Sequence, residues 1–401
     1  MKSAGLLGLA FLVMGCGGTA PFRPPLPGGD DNARGTLISY SLLRDYGEIS
    51  MDTVLDDIEH QSGYDLSVTS DVSLYKVTYW TIDVNGQAVR ATGAVAIPDT
   101  PTNPALVSYQ HSTATLKTNV PSGNNDEAWA VLAVFAATGN YVVSMPDYLG
   151  LGDSAGMHPY LHAASEASAS LDMIRASRTL CGKLNVGLSD KLFLHGYSQG
   201  GHATMALARE IETMNSNEFK MTAVAPGAGP YDLTGVELPF ALNQPGPDTN
   251  TFLAYIVLAY RNIYGIMSDL SLVFQSPWDV NAPPLFDGSK DISTIAGDLP
   301  TSPSQLFTTG FIHDLTSNIG VPFKDKLQQN DVWQWVPKTT MKLFHAKSDN
   351  IVSFQNSQEA YNYMHANGAP VTLVDLGDNI DHLGGFYYAI PAARLWFDTL
   401  N

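Results

Sequence analysis

One turn constrains the fold of this chain more than any other feature. Leu192, Phe193 and Leu194 form a short apolar run that ends in Gly196-Tyr197-Ser198-Gln199-Gly200 and passes straight into helix formers, Ala203 to Ala208 and on towards Met214. A strand, a sharp turn and a helix follow one another with a serine at the apex. Such a turn holds the Ser198 backbone in a strained conformation and lifts its Oγ clear of the sheet edge. Gly196 and Gly200 flank it because a Cβ at either position would collide where strand and helix crowd together. Gln199 opens the helix, so its N–H points at whatever reacts with Ser198. A short glycine-serine pattern also arises by chance, and a serine in an ordinary tight turn is the plain alternative, so the surroundings must decide.

The surroundings read as an α/β chain. Continuously apolar runs at 105–109, 141–144, 192–194, 222–225, 342–345 and 371–375 have the character of parallel strands buried on both faces. Helical segments at 126–138, 162–181, 200–214, 354–366 and 389–399 alternate with them. This predicts a mostly parallel, doubly wound sheet with right-handed crossovers. Ahead of it, Tyr75 to Asp83 alternates, Asn85-Gly86 turns the chain, and Val89 to Ile97 returns as an antiparallel hairpin. Residues 36–72 read as helical fragments with a solvated acidic face at Asp52, Asp56, Asp57 and Glu59.

One interval breaks the alternation. Residues 231–340 are far too long for an ordinary connection and must form their own substructure, a mainly helical cap over the serine. Thr251 to Phe274 is apolar enough to suggest a membrane span, but Arg261 and Asp269 interrupt it. Phe252, Tyr255, Ile256, Tyr260, Tyr264, Phe274 and Trp278 either line an apolar acyl pocket or form the cap's own core. The domain plan is therefore 1–15 signal peptide, 16–35 Gly/Pro-rich tether, 36–230 first part of the core, 231–340 cap, and 341–401 second part of the core.

The start of the chain reads as an address. Lys2 precedes an apolar stretch, Leu6 to Met14, too short to span a bilayer. Val13-Met14-Gly15-Cys16 resembles a bacterial lipobox, in which the cysteine is lipidated; plain secretion is the alternative. Gly17 after the cysteine points to the outer membrane. The other cysteine, Cys181, then has no partner for a disulfide. With a net charge of −18, neither nucleic acid nor an anionic membrane surface is an expected partner, and contact with a membrane is expected only through the lipid.

A serine hydroxyl needs a base, and the base needs an acid to hold its tautomer. Asp349 lies in the loop Lys347 to Val352, directly after the strand ending at His345, and is preferred over Asp375 and Asp378. His382 lies in the polar loop Gly377 to Gly385 after the last strand, whereas His345 falls within a strand, His365 within a helix, His313 in the cap, and His202 on the helix face turned away. One oxyanion donor is the Gln199 N–H; the second comes from the loop His111-Ser112-Thr113-Ala114, with Thr113 ahead of Ser112.

Four segments carry a resemblance: Tyr-Gln-His-Ser-Thr at 109–113, Met-Pro-Asp-Tyr-Leu-Gly-Leu-Gly-Asp-Ser at 145–154, Gly-Tyr-Ser-Gln-Gly-Gly at 196–201, and the paired loops Ser-Asp-Asn-Ile-Val and Asp-His-Leu-Gly-Gly. Together they resemble the α/β-hydrolase superfamily, and within it the secretory lipases of fungi and their bacterial relatives. The likeness covers about residues 75–230 and 340–400. It implies hydrolysis of carboxylic esters, including acylglycerols, through an acyl-enzyme, with no metal or organic cofactor. Ser112 departs from the glycine common at that place in the superfamily. A serine peptidase of the same fold and a non-catalytic binding protein on this scaffold are the competing expectations. Aminoacyl anilides would expose the first, and failure of Ser198 to react with a fluorophosphonate the second.

Overall fold

The computed structural model describes residues 34–317 and 321–401. The expected signal peptide, Cys16 and all but the last two residues of the expected tether lie outside the described residues.

Nine strands form one sheet: β1 (Leu37–Tyr46), β2 (Val72–Ile82), β3 (Ala88–Pro98), β4 (Leu106–Gln110), β5 (Val142–Pro146), β6 (Leu192–Tyr197), β7 (Ala223–Gly227), β8 (Met341–His345) and β9 (Val371–Asp375). Their order across the sheet is β1-β2-β3-β5-β4-β6-β7-β8-β9. The pairs β1·β2, β2·β3 and β3·β5 are antiparallel, and β5 through β9 run parallel. The central strands β4, β5, β6 and β7 are buried at every residue, which is why they read as predominantly apolar runs. Helices α1 (Glu48–Ser62), α2 (Asp126–Val131), α3 (Ala163–Lys183) and α4 (Gln199–Met214) precede the segment inserted between β7 and β8, and α12 (Gln355–Ala366) and α13 (His382–Asp398) follow it. Two cores result, one on each sheet face: Leu192, Leu194 and Val224 point into one, Phe193, Ala223 and Ala225 into the other. No helix among the described residues is long and apolar enough to cross a membrane.

The structure departs from the sequence reading at both ends. Residues 37–46, read as helical, form β1, paired along its length with β2 from Leu37–Tyr79 to Tyr46–Val72. Eight consecutive residues of this edge strand are exposed, so no buried face imprints an alternating pattern. Two irregularities in its register, at Leu37/Ser39 and Leu42/Arg44, blur the period further. The last helix starts at His382, seven residues earlier than read. Gly384-Gly385 looks like a helix breaker, but Asp381 caps the helix by accepting the Gly384 N–H at 2.8 Å.

Between β7 and β8 lies the inserted, mainly helical segment: a π turn (Leu233–Glu237) followed by α5 (Leu238–Asn243), α6 (Pro247–Tyr264), α7 (Trp278–Asn281), α8 (Ile292–Asp298), α9 (Pro303–Leu306), α10 (Thr309–Thr316) and α11 (Pro322–Gln329). It has its own apolar core, containing Tyr260, Phe274, Phe307 and Phe323. Its two ends meet where the Val332 N–H donates to the Tyr231 carbonyl at 2.9 Å and the Thr234 N–H to the Asp331 carboxylate at 3.2 Å. Burial, reinforced by the charge of Asp232, lifts Asp331 to about 8. The folded chain thus holds this proton more tightly than the unfolded chain. The resulting stability is complete below the ordinary carboxylate range and is lost as pH rises to about 8. Thermal unfolding followed across that window is expected to show Tm falling as pH rises, with Asp331→Asn flattening the slope; an equal slope in the variant refutes this.

Candidate active site

The turn after β6 places Ser198 at φ 59°, ψ −122°, a left-handed backbone that L residues rarely adopt. Packing on all sides holds it there. The Ser198 N–H donates to the Gly227 carbonyl at 3.0 Å, and the Ser198 carbonyl takes the Gly201 N–H at 2.8 Å. A Cβ at Gly200 would overlap the Gln110 carbonyl, so the helix closes directly onto the end of β4. The turn therefore brings the Ser198 hydroxyl and the loop after β4 to the same spot.

His382 reaches that spot from α13. Its Nε2 lies 2.9 Å from Ser198 Oγ and its Nδ1 2.7 Å from Asp349 Oδ2. Both side chains are buried apart from a few per cent of the histidine. Tyr197 donates its hydroxyl to the His382 carbonyl at 2.8 Å, and a Cβ at Gly385 would strike that same hydroxyl. Gly385 is therefore no helix breaker; it lets α13 lie against the residue preceding Ser198. The two loops are joined by Asn350 Oδ1, which accepts the His382 N–H at 3.2 Å, and by Ser348 Oγ, which accepts that of Asn379 at 3.2 Å.

Asp349 is more elaborately held than the sequence suggests. Its Oδ1 accepts the N–H groups of Ile351 at 2.9 Å and Val352 at 2.8 Å. Its Oδ2 faces His382 and also His345 Nε2, at 3.2 Å. Burial pushes the carboxyl up, but the neighbouring His382, the His345 hydrogen bond and the remaining contacts outweigh it and hold Asp349 well below the usual carboxylate range. His345, whose Nδ1 lies 2.8 Å from Ser357 Oγ, reads from sequence only as a strand residue. The available signal is its spacing of four from Asp349 across a strand end, which alone is too common to single it out.

The loop after β4 is braced from two sides. One oxygen of Glu127, on the first turn of α2, accepts from Tyr109 Oη at 2.6 Å, the Ser112 N–H at 2.9 Å and Ser112 Oγ at 3.1 Å. On the other side His111 Nε2 lies 3.2 Å from the Asp147 carbonyl, and Tyr148 Oη donates to the His111 carbonyl at 3.1 Å. The Met-Pro-Asp-Tyr segment thus serves the loop: buried Asp147 accepts from Thr92 Oγ1 at 2.6 Å and from the Ser122 N–H at 2.9 Å. The Ser112 N–H is engaged with Glu127, whereas the N–H groups of Thr113 and Gln199 donate to no described residue. Thr113, Ser198 and Gln199 share the wall of one cavity.

That cavity runs from Ser198 into the inserted segment. Of the aromatic and aliphatic residues singled out above, Phe252 and Ile256 line it. Tyr255 instead stacks on Tyr160 with ring centres 4.6 Å apart and donates to the Ala114 carbonyl at 3.2 Å, seating α6 on the loop after β4. Tyr260, Tyr264, Phe274 and Trp278 belong to the segment's own core. His202 is committed elsewhere, with Glu166 Oε2 at 2.7 Å and the Asn330 carbonyl at 2.9 Å. No cluster that could hold a metal ion occurs among the described residues.

A mostly parallel sheet with a strained serine after the central strand β6, an acid in the loop after β8, a histidine at the start of α13 and a helical insertion defines an α/β-hydrolase. The secretory lipase model matches residues 126–399. The chain belongs to the secretory lipase family, a family of carboxylic ester hydrolases. Among solved structures, a candidate hydrolase of Legionella pneumophila is 29% identical, with 91% of this chain and 98% of that chain covered and a TM-score of 0.87. The rice cell wall degrading esterase LipA of Xanthomonas oryzae is 31% identical over 92% of this chain and 98% of its own, with a TM-score of 0.83. Candida antarctica lipase A shares the fold at 23% identity and a TM-score of 0.65, over 88% of this chain and 78% of its own. No curated protein matches the chain.

Proposed function

We propose that the chain is an exported serine esterase or lipase that cleaves carboxylic esters through an acyl-enzyme, with Ser198, His382 and Asp349 as its catalytic residues. The supporting observation is the unbroken hydrogen-bond chain from Ser198 Oγ through His382 to Asp349, opening into an apolar cavity. Ser198 attacks the ester carbonyl while His382 takes its proton; Asp349 keeps the other proton on Nδ1 and stabilises the imidazolium. The tetrahedral oxyanion is held by the Gln199 and Thr113 N–H groups, each contributing roughly 3 kcal/mol to the transition state. Collapse expels the alcohol, which receives the His382 proton; water then attacks the acyl-enzyme with His382 again as base. The segment between β7 and β8 acts as a cap supplying the acyl pocket, and lipidation of Cys16 is the proposed anchor to the cell envelope.

Turnover of p-nitrophenyl esters from acetate to palmitate, with Ser198→Ala as control, tests this reading. Hydrolysis that survives the substitution, or failure of a fluorophosphonate to label Ser198 in the folded protein, sinks it. Glu127 offers a finer check. Removing its carboxylate in Glu127→Ala loosens the loop that carries Thr113 and frees the competing Ser112 N–H. The expected result is a kcat about tenfold lower or more, with KM little changed. Glu127→Gln retains an oxygen for the same three donors and should recover most of the rate. A variant that loses only thermal stability would show that Glu127 acts on the fold alone.

A further inference from the structure

The cavity at Ser198 carries one group that ester cleavage does not use. Away from the reacting end its wall is built of residues such as Leu233, Leu238, Phe252, Ile256 and Val352, yet Glu237 lies among them, the one carboxyl among the described residues of the lining. It stands at the end of the π turn that leads into the cap. Its Oε2 is committed, accepting from Asn356 Nδ2 at 2.7 Å and from the Ser353 N–H at 3.3 Å. Its Oε1 accepts from no described residue. A polar atom on an apolar wall lacks a partner whenever a plain alkyl chain displaces the water around it.

We propose that Glu237 is a specificity residue that selects acyl chains bearing a hydroxyl, which binds to its free Oε1. This builds on the reading of Ser198 as the nucleophile. A hydroxyl fits the carboxyl in both protonation states. Burial lifts Glu237 to about 8 against the hydrogen bonds from Ser353 and Asn356, so at neutral pH it carries a proton. Two N–H donors already occupy Oε2, which leaves that proton on Oε1, where it donates to the hydroxyl oxygen. When the carboxyl is ionised, Oε1 accepts the hydroxyl proton instead. A ketone or ether could pair only with the protonated form, and an ammonium only with the ionised one.

The test uses p-nitrophenyl esters of straight-chain acids of increasing length, each paired with the same acid carrying a terminal hydroxyl. The readout is the ratio of kcat/KM for the hydroxylated ester to that for the plain one, which cancels any general loss of activity. In the wild-type protein this ratio should exceed one, reaching about tenfold at the lengths that bring the hydroxyl to Glu237. In Glu237→Leu it should fall below one at those lengths, since a hydroxyl then meets only apolar wall. Glu237→Gln keeps an oxygen for Ser353 and Asn356 and turns an amide N–H towards the chain, so most of the preference should remain. A wild-type ratio below one at every length overturns the proposal, and so does a ratio unchanged in Glu237→Leu. If Glu237→Leu does not fold, the wild-type ratio alone decides. Absence of Ser198-dependent cleavage of the plain esters would instead refute the esterase reading itself.

Discussion

Ser198→Ala is expected to lower kcat for a p-nitrophenyl ester by about a million-fold while leaving the protein folded. The size of the loss follows from the neighbourhood of the missing hydroxyl. Ser112 Oγ is held by Glu127 and by the Tyr197 carbonyl, and Thr113 Oγ1 is paired with Tyr160 Oη at 3.1 Å. Neither can turn towards His382 without breaking these contacts, so no second nucleophile stands in. The fold is spared because the Ser198 side chain caps nothing: α4 begins without a side-chain hydrogen bond from it. Alanine has to accept the same φ of 59°, but serine already bears that strain. Residual Ser198→Ala turnover above about one per cent of wild type would mean another group attacks the ester. An unchanged melting curve is the accompanying check.

Asp349→Asn is expected to lower kcat by about ten-thousand-fold. The asparagine would fit the space, and its oxygen could still accept from Ile351 and Val352. That leaves its NH2 where Oδ2 stood, facing two imidazoles. His382 would have to accept at Nδ1 and carry its proton on Nε2, pointing at Ser198, which is the wrong tautomer for a base. His345 Nε2 offers no relief, since it also lies within 3.1 Å of the Val352 carbonyl and donates there. KM should change far less than kcat. If Asp349→Asn kept more than about a tenth of wild-type kcat, the acid would have to be sought elsewhere, and Asp375 or Asp378 would return as candidates.

The parallel strands were legible because burial on both faces leaves mostly apolar side chains in β4 to β7, with only Ser108, Gln110, Ser144 and His195 as polar exceptions. The turn at Ser198 was legible because its glycines answer a local steric demand. β1 was hidden, since an exposed edge strand is defined by its partner β2 rather than by its own pattern. The start of α13 was hidden for a related reason. Gly385 is dictated by Tyr197, 188 residues earlier in the chain, and a local reading assigns it to a loop. Asp349 and His382 could be chosen from their places after successive strands, but the part taken by His345 could not.

The sequence by itself determined the alternation of strand and helix, the sharp turn at Ser198, and the places of Asp349 and His382 after successive strands, because each depends on burial period or backbone sterics within a few residues. Only the tertiary structure decided which donors and acceptors are already taken. Glu127 engages the Ser112 N–H and leaves that of Thr113 free, His345 shares Asp349 with His382, and Glu237 keeps one oxygen open to the cavity. Such pairings join residues far apart in the chain, and a hydrogen bond depends on distance and direction in space rather than on separation in sequence.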